Sequence, residues 1–134
     1  DSTHRFRSRL QDVRAYATDF ETYVHDAYRA YFGFIATENE EPIRNGAPHL
    51  ALIGVRVDTP EMLAVAEEIR ADLEHVLSGE GGPKIDTAYL TAAAIGIARE
   101  MGEHMLLRRP VDVDGATEFA TALLLAGVRE IAAK

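Results

Sequence analysis

The first third of the chain carries a regular stripe of apolar residues. Successive members are separated alternately by four and three positions, with no change of phase. They are Phe6, Leu10, Val13, Ala17, Phe20, Val24, Ala27, Tyr31 and Phe34. This spacing predicts one long amphipathic helix over about residues 4–37, with Ser2 or Thr3 as its N-cap. Thr18 and Glu21 form a capping-box pattern, but the stripe passes through it in register, so we predict no break there.

Turn-forming residues separate this helix from the next clear one. Residues 39–48 (NEEPIRNGAP) contain proline, glycine and asparagine and predict a loop. Residues 49–57 (HLALIGVRV) fit either a short buried helix or a strand, and we favour a helix because no partner strand is visible. Asp58, Thr59 and Pro60 combine capping side chains with a proline in the first turn, which predicts a helix start. Apolar residues at helical spacing follow, and Ser78-Gly79 predicts the end of that helix.

The last part of the chain predicts a hairpin of two apolar helices. Asp86 is the candidate N-cap of the first arm, and Asp112 or Asp114 that of the second. No charged residue occurs within residues 87–98 or within residues 119–128. A helix on the outside of a monomer keeps a polar face toward water, so these arms must be covered on more than one side. The two runs have 12 and 10 residues, short of the ~20 that a membrane span needs, so we expect protein to cover them.

Composition narrows the class of protein. A chain of 134 residues with this helical periodicity predicts a single all-α domain, a helical bundle of about five helices. The chain contains no cysteine, which excludes disulfides and thiolate metal sites and is typical of a cytoplasmic protein. The balance of 14 Lys and Arg against 22 Asp and Glu gives a net charge of −8, so we do not expect these residues to bind DNA.

Motifs that would indicate an enzyme are missing from the sequence. None of the five histidines follows a glutamate by three positions, so the Glu-x-x-His pair of a di-iron bundle is absent. Glycine patterns that bind phosphates or dinucleotides, or that hold a nucleophilic serine, are absent too. Glu100 and His104 lie four residues apart, and we interpret them as an ion pair rather than as metal ligands. We therefore expect no catalytic residues, no metal and no cofactor.

Aromatic residues give the strongest hint of function. Seven of the ten lie between Tyr16 and Phe34, and most project from one half of the predicted helix. Core packing explains this cluster as well as the wall of an apolar ligand pocket does. Methionines on the later helices would adapt to an irregular ligand. For the pocket hypothesis we select Phe20, Tyr23, Tyr31, Met101, His104 and Met105 as ligand-binding residues.

Two stretches near the end of the chain resemble a known family. They read IDTAYLTAAAIGIAREMGEHMLLRRP and DVDGATEFATALLLAGV, and they follow a long first helix and a capped middle helix. This order resembles the C-terminal regulatory domain of TetR-type transcriptional regulators over nearly the whole chain. The resemblance implies that the last two helices pair with those of a second subunit to form a four-helix dimer interface. It also implies an N-terminal helix-turn-helix DNA-binding domain, which nothing within residues 1–134 matches.

Small residues in the hairpin suit close approach of a second copy. A homodimer of this kind would follow twofold symmetry and bury upwards of roughly 2,000 Å². The interface residues that we predict are Ala94, Ile97, Phe119, Leu123, Leu124, Gly127 and Val128.

The leading hypothesis is that residues 1–134 form the effector-sensing and dimerisation domain of a TetR-like repressor. A small hydrophobic effector would bind within the bundle and alter the DNA affinity of the N-terminal domain. The alternative is a stand-alone helical carrier or scavenger of small hydrophobic molecules. A reading frame that extends upstream of Asp1 into a basic helix-turn-helix would favour the regulator, and one that begins near Asp1 would favour the carrier.

Overall fold

The computed structural model describes residues 2–46, 60–77 and 85–133. Within these ranges the chain forms six helices and no strand, which confirms the predicted all-α bundle. The helices are α1 (Ser2–Tyr16), α2 (Phe20–Glu38), α3 (Glu40–Arg44), α4 (Pro60–Leu77), α5 (Thr87–Leu106) and α6 (Val113–Ala132). The predicted helix over residues 49–57 and the capping residues Asp58 and Thr59 lie outside the described residues. No helix in the described ranges is long and apolar enough to cross a lipid bilayer.

The prediction of one continuous helix over residues 4–37 is wrong. Helix α1 ends at Tyr16, and α2 begins at Phe20. Between them, Asp19 adopts an extended backbone with φ −153° and ψ 176°, and its carboxylate accepts a hydrogen bond from the Thr22 N–H at 2.7 Å. Asp19 is therefore the N-cap of α2. Helix α1 already includes Ser2 and Thr3, so neither is the N-cap that the sequence predicted.

Packing within the aromatic stripe explains the break. The ring of Phe6 lies 5.4 Å from that of Phe34 and 5.6 Å from that of Tyr31. In a continuous helix, residues 6 and 34 would be about 42 Å apart along the axis. The chain folds back after Tyr16, so that the two halves of the stripe bury each other. The apolar pattern identified the buried face correctly, but it gave no sign that this face would pack on itself.

Helix α2 lies at the centre of the bundle. It packs most extensively against α6 and also contacts α1, α3 and α5, while α4 closes the other side by contacting α1 and α5. Phe32, Ile35 and Val65 are among the fully buried side chains of the core. The short helix α3 occupies part of the segment 39–48 that was predicted to be a loop.

The predicted starts of the last two long helices are confirmed. The Asp86 carboxylate accepts a hydrogen bond from the Tyr89 N–H at 3.0 Å and begins α5. The Asp112 carboxylate accepts one from the Gly115 N–H at 2.9 Å and begins α6. Of the two candidates for the cap of α6, Asp112 has this role. Asp114 instead pairs with Arg29 of α2 at 2.5 Å.

Candidate functional site

The interior of the bundle contains an apolar cavity of about 270 Å³. Five helices contribute to its wall, namely α1, α2, α4, α5 and α6. The lining residues are Phe6, Leu10, Tyr23, Val24, Ala27, Tyr28, Tyr31, Val65, Ala66, Ile69, Leu73, Ala94, Ile95, Ala98, Arg99 and Leu124. Arg99 is the only charged side chain among these residues, and it is exposed to solvent. The cavity therefore reaches the protein surface at Arg99, and we call this region the mouth.

The interior cavity exists because the side chains that face each other across it differ in size. Helix α2 contributes aromatic rings, and α4 contributes branched aliphatic residues at helical spacing, including Val65, Ile69 and Leu73. Helix α5 faces them with Ala94 and Ala98, which are too short to fill the gap between the helices. Protein interiors are usually packed without voids of this size. A cavity lined almost entirely by carbon is the kind of space that binds small apolar molecules.

Three tyrosines of α2 line the cavity, and two of their hydroxyls are bound to protein. Tyr23 donates to the Asp72 carboxylate at 3.0 Å, and Tyr28 donates to the Ala94 carbonyl at 3.0 Å. Burial raises the pKa of both phenols, and the charge of Asp72 raises that of Tyr23 further. Burial also raises the pKa of Tyr31 to about 12. All three phenols therefore stay protonated at neutral pH and keep a proton to donate.

Ion pairs between α1 and α4 hold one side of the cavity closed. The Arg14 guanidinium donates from Nε to Asp72 at 2.7 Å, so Asp72 joins Arg14 of α1 and Tyr23 of α2. The Arg7 Nε donates to Glu68 at 2.9 Å, and Nη2 of Arg7 contacts the same carboxylate oxygen. These pairs are partly buried, so solvent screens them less than exposed pairs. They fix the position of α4 against the first two helices.

The six predicted ligand-binding residues do not converge on one cavity. Tyr23 and Tyr31 line the interior cavity, and Phe20 packs against the core without lining it. Met101, His104 and Met105 line a second cavity of about 350 Å³ between α5 and α6. That space also borders Glu100, Arg108, Asp112 and Phe119. No group of three or more His, Asp or Glu side chains that could bind a metal ion occurs in the described ranges.

Sequence reasoning missed most of the cavity wall. Val65, Ile69 and Leu73 belong to the apolar stripe of α4, and their helical spacing was a signal for burial, although not for a cavity. Ala94 was assigned to the dimer interface, but it lines the cavity. Arg99 directly follows the uncharged run of residues 87–98, and nothing in the sequence marked it as part of a site. Its place at the mouth depends on the rotation of α5, which the sequence does not determine.

The outer face of α6 carries exposed apolar residues. Phe119 is 62% exposed and Leu123 is 51% exposed, and Gly127 lies on the same face one turn further on. These three belong to the predicted dimer interface and do lie on the surface of the chain. Leu124 and Val128, also predicted there, are 7% and 8% exposed and pack inside their own bundle. Ala94 and Ile97 of α5 are half-buried.

The chain is an all-α bundle with an internal apolar cavity. Its last two long helices, α5 and α6, form an apolar hairpin. Comparisons of the chain with family models, with curated proteins and with solved structures found no match.

Proposed function

We propose that the chain is the effector-sensing and dimerisation domain of a TetR-like transcriptional regulator. A small hydrophobic effector binds in the interior cavity. The hairpin of α5 and α6 pairs with the same hairpin of a second copy. Effector binding changes how the two copies are arranged, and so alters the DNA affinity of an N-terminal DNA-binding domain.

One observation carries this proposal: α5 and α6 both border the cavity, and α6 also presents apolar side chains to solvent. With one face they wall the cavity, through Ala94 and Ala98 of α5 and Leu124 of α6. With a different face α6 presents Phe119 and Leu123 to solvent. Leu123 and Leu124 are adjacent in the chain, so a ligand that displaces Leu124 must also displace Leu123. A rigid helix transmits such a shift because packed elements move as units.

The cavity volume limits the effector to a small molecule. A cavity of 150 Å³ can bind benzene, and drug-sized ligands occupy roughly 300–1,000 Å³. The space of about 270 Å³ lies between these cases. A short acyl chain or a compound of two or three aromatic rings matches it.

The coupling between effector binding and the arrangement of the two copies follows from thermodynamic linkage. A ligand shifts an equilibrium between two arrangements only by binding them with different affinity. Here the two arrangements differ in the positions of α5 and α6, and both helices contact the ligand. The contact that Leu123 makes with the second copy would then depend on whether a ligand occupies the cavity.

The ligand site is tested with the neutral fluorescent probe N-phenylnaphthylamine. Ala66→Leu places an isobutyl group in the cavity, and Ala71→Leu makes the same change on the exposed face of α4. The larger side chain should displace about two methylene-sized groups of the probe, each contributing about 0.8 kcal/mol. We expect Ala66→Leu to raise the probe Kd about tenfold or more, and Ala71→Leu to leave it unchanged. Equal affinity of both variants would place the probe outside this cavity.

The dimer is tested by sedimentation velocity. Leu123→Arg places a charge on the outer face of α6, and Leu63→Arg makes the same change at an exposed position of α4. We expect Leu123→Arg to give a monomer that still binds the probe, and Leu63→Arg to remain a dimer. A parent protein that is monomeric and binds the probe would support the hydrophobic carrier instead. A Leu123→Arg protein that remains dimeric would exclude this face as the interface.

A further inference from the structure

One phenol in the cavity wall lacks the partner that its neighbours have. The hydroxyls of Tyr23 and Tyr28 donate to Asp72 and to the Ala94 carbonyl. The Tyr31 hydroxyl, in contrast, has no hydrogen-bond partner among the described residues. The Tyr31 oxygen keeps some accessible surface, unlike the buried and unpartnered Thr121 Oγ1. Tyr31 therefore has a donor that a ligand in the cavity could use.

Arg99 at the mouth of the cavity also has no ion-pair or hydrogen-bond partner among the described residues. Most arginines of the described ranges, such as Arg7, Arg14 and Arg70, form ion pairs with nearby carboxylates. Arg99 forms none within those ranges, although the chain carries an excess of acidic residues. It is the only cation among the residues that line the cavity.

The two unpartnered donors lie within electrostatic reach of each other. Burial is the main cause that raises the pKa of the Tyr31 phenol, and the positive charge of Arg99 acts in the opposite direction and lowers it. Glu103, one turn beyond Arg99 on α5, also acts on Tyr31 and raises that pKa. The phenol thus stays protonated at neutral pH. The mouth presents a guanidinium and a phenol donor, with one exposed carboxylate nearby.

We infer that Arg99 and Tyr31 bind the carboxylate head of an amphipathic effector whose apolar body fills the cavity. This inference rests on the proposed function and names the chemical class of its ligand. A guanidinium binds a carboxylate through parallel N–H donors, and charge-assisted hydrogen bonds are the stronger kind. The hydroxyl of Tyr31 supplies one further donor. The apolar wall binds the rest of the molecule, so the effector is an alkyl or aryl carboxylic acid.

Replacement of Glu103 should change carboxylate binding in the direction opposite to replacement of Arg99. The negative charge of Glu103 opposes an anionic ligand at the mouth. Replacing it with glutamine should strengthen binding of a carboxylate and leave binding of a neutral ligand unchanged. A role of Arg99 in protein packing alone would not produce this opposite pair of effects.

Octanoate and octanol test the inference because they share one alkyl chain and differ in the head. Each is titrated against bound N-phenylnaphthylamine, and the measured quantity is the ratio of the octanol Kd to the octanoate Kd. We expect Arg99→Gln to lower this ratio about tenfold, as the loss of one charged hydrogen-bonding partner would do. Arg99→Lys should restore part of the ratio, Tyr31→Phe should lower it about threefold, and Glu103→Gln should raise it.

Arg129→Gln is the matched control. Arg129 is an exposed arginine of α6 that does not line the cavity, and its replacement changes the net charge equally. The inference is overturned if Arg99→Gln leaves the ratio unchanged, or if Arg129→Gln lowers it as much. If octanol and the probe bind but octanoate shows no preference that depends on Arg99, only the inference fails. If neither octanol nor the probe binds, the proposed function fails as well.

Discussion

Gly102 of α5 tests the packing that forms one wall of the cavity. Helix α5 approaches α2 so closely here that a β-carbon on Gly102 would lie 2.6 Å from Cδ1 of Ile35 and 3.3 Å from Cε2 of Tyr31. Ile35 is fully buried, so its side chain has little room to move. Gly96, six residues earlier on the same helix, has open space around the corresponding position.

Two effects of opposite sign determine how much Gly102→Ala changes the free energy of unfolding. Alanine favours the helical backbone by about 0.5–1 kcal/mol relative to glycine. Overpacking of a well-packed core costs about 1–3 kcal/mol. The contact at 2.6 Å is far inside van der Waals distance, so overpacking wins. We expect Gly102→Ala to lower the free energy of unfolding by about 1 kcal/mol, and Gly96→Ala to raise it by about 0.5–1 kcal/mol.

Thermal and urea unfolding, followed by circular dichroism, measure these differences. A change of 1 kcal/mol corresponds to roughly 3–5 °C in Tm for a chain of this size. Ile35→Val removes the clashing Cδ1 atom at its own cost of about 0.5–1.5 kcal/mol. The double variant should therefore lose about 1 kcal/mol less than the sum of the single variants. Additive losses, or a Gly102→Ala protein as stable as Gly96→Ala, would refute the close approach of α5 to α2.

Two further predictions concern a helix cap and a histidine. Asp112→Ala removes the side chain that accepts from the Gly115 N–H, so it should lower the free energy of unfolding by about 1 kcal/mol in urea, and Asp114→Ala should lower it less. His25 of α2 contacts Asp26 at 2.9 Å and Glu118 of α6 at 3.3 Å, and its hydrogen bond to Asp26 is the main reason that its pKa is raised from 6.5. The protonated ring stabilises the fold, so this contribution should be full below about pH 6.5 and be lost as pH rises through the elevated pKa. A His25→Gln protein whose Tm differs from that of the parent by the same amount at all pH values would contradict this.

Local patterns predicted the helices but not how they fold back on each other. Asp86, Asp112 and Pro60 mark helix starts because capping depends on residues within one turn. The break before Phe20 could not be predicted in the same way, since the apolar stripe stays in phase across it. It exists because Phe6 packs against Phe34, and a contact between such distant residues has no local signature.

The candidate site depends on helix rotation, which runs of apolar residues leave open. Leu123 and Leu124 differ by one position, or about 100° around the helix, and one is exposed while the other lines the cavity. Both residues lie in a run without charged residues, so sequence alone assigned both to the dimer interface. The same uncertainty placed Met101 and His104 with Tyr23, although they border a different cavity. Tyr23 and Tyr31 were selected from the aromatic cluster, and both border the interior cavity.

The most direct measurement of the central claim is a distance between the two copies of a dimer, with and without a ligand in the cavity. The chain has no cysteine, so Ser8→Cys on the exposed face of α1 gives one spin-label site per copy. Double electron–electron resonance should give one distance for the twofold dimer, which shifts by roughly 2 Å when N-phenylnaphthylamine saturates the cavity. At a probe concentration that just saturates the parent cavity, the shift should be much smaller in the Ala66→Leu background, where the probe binds about tenfold more weakly. A distance that stays the same while the probe is bound in the cavity would contradict effector sensing by this domain.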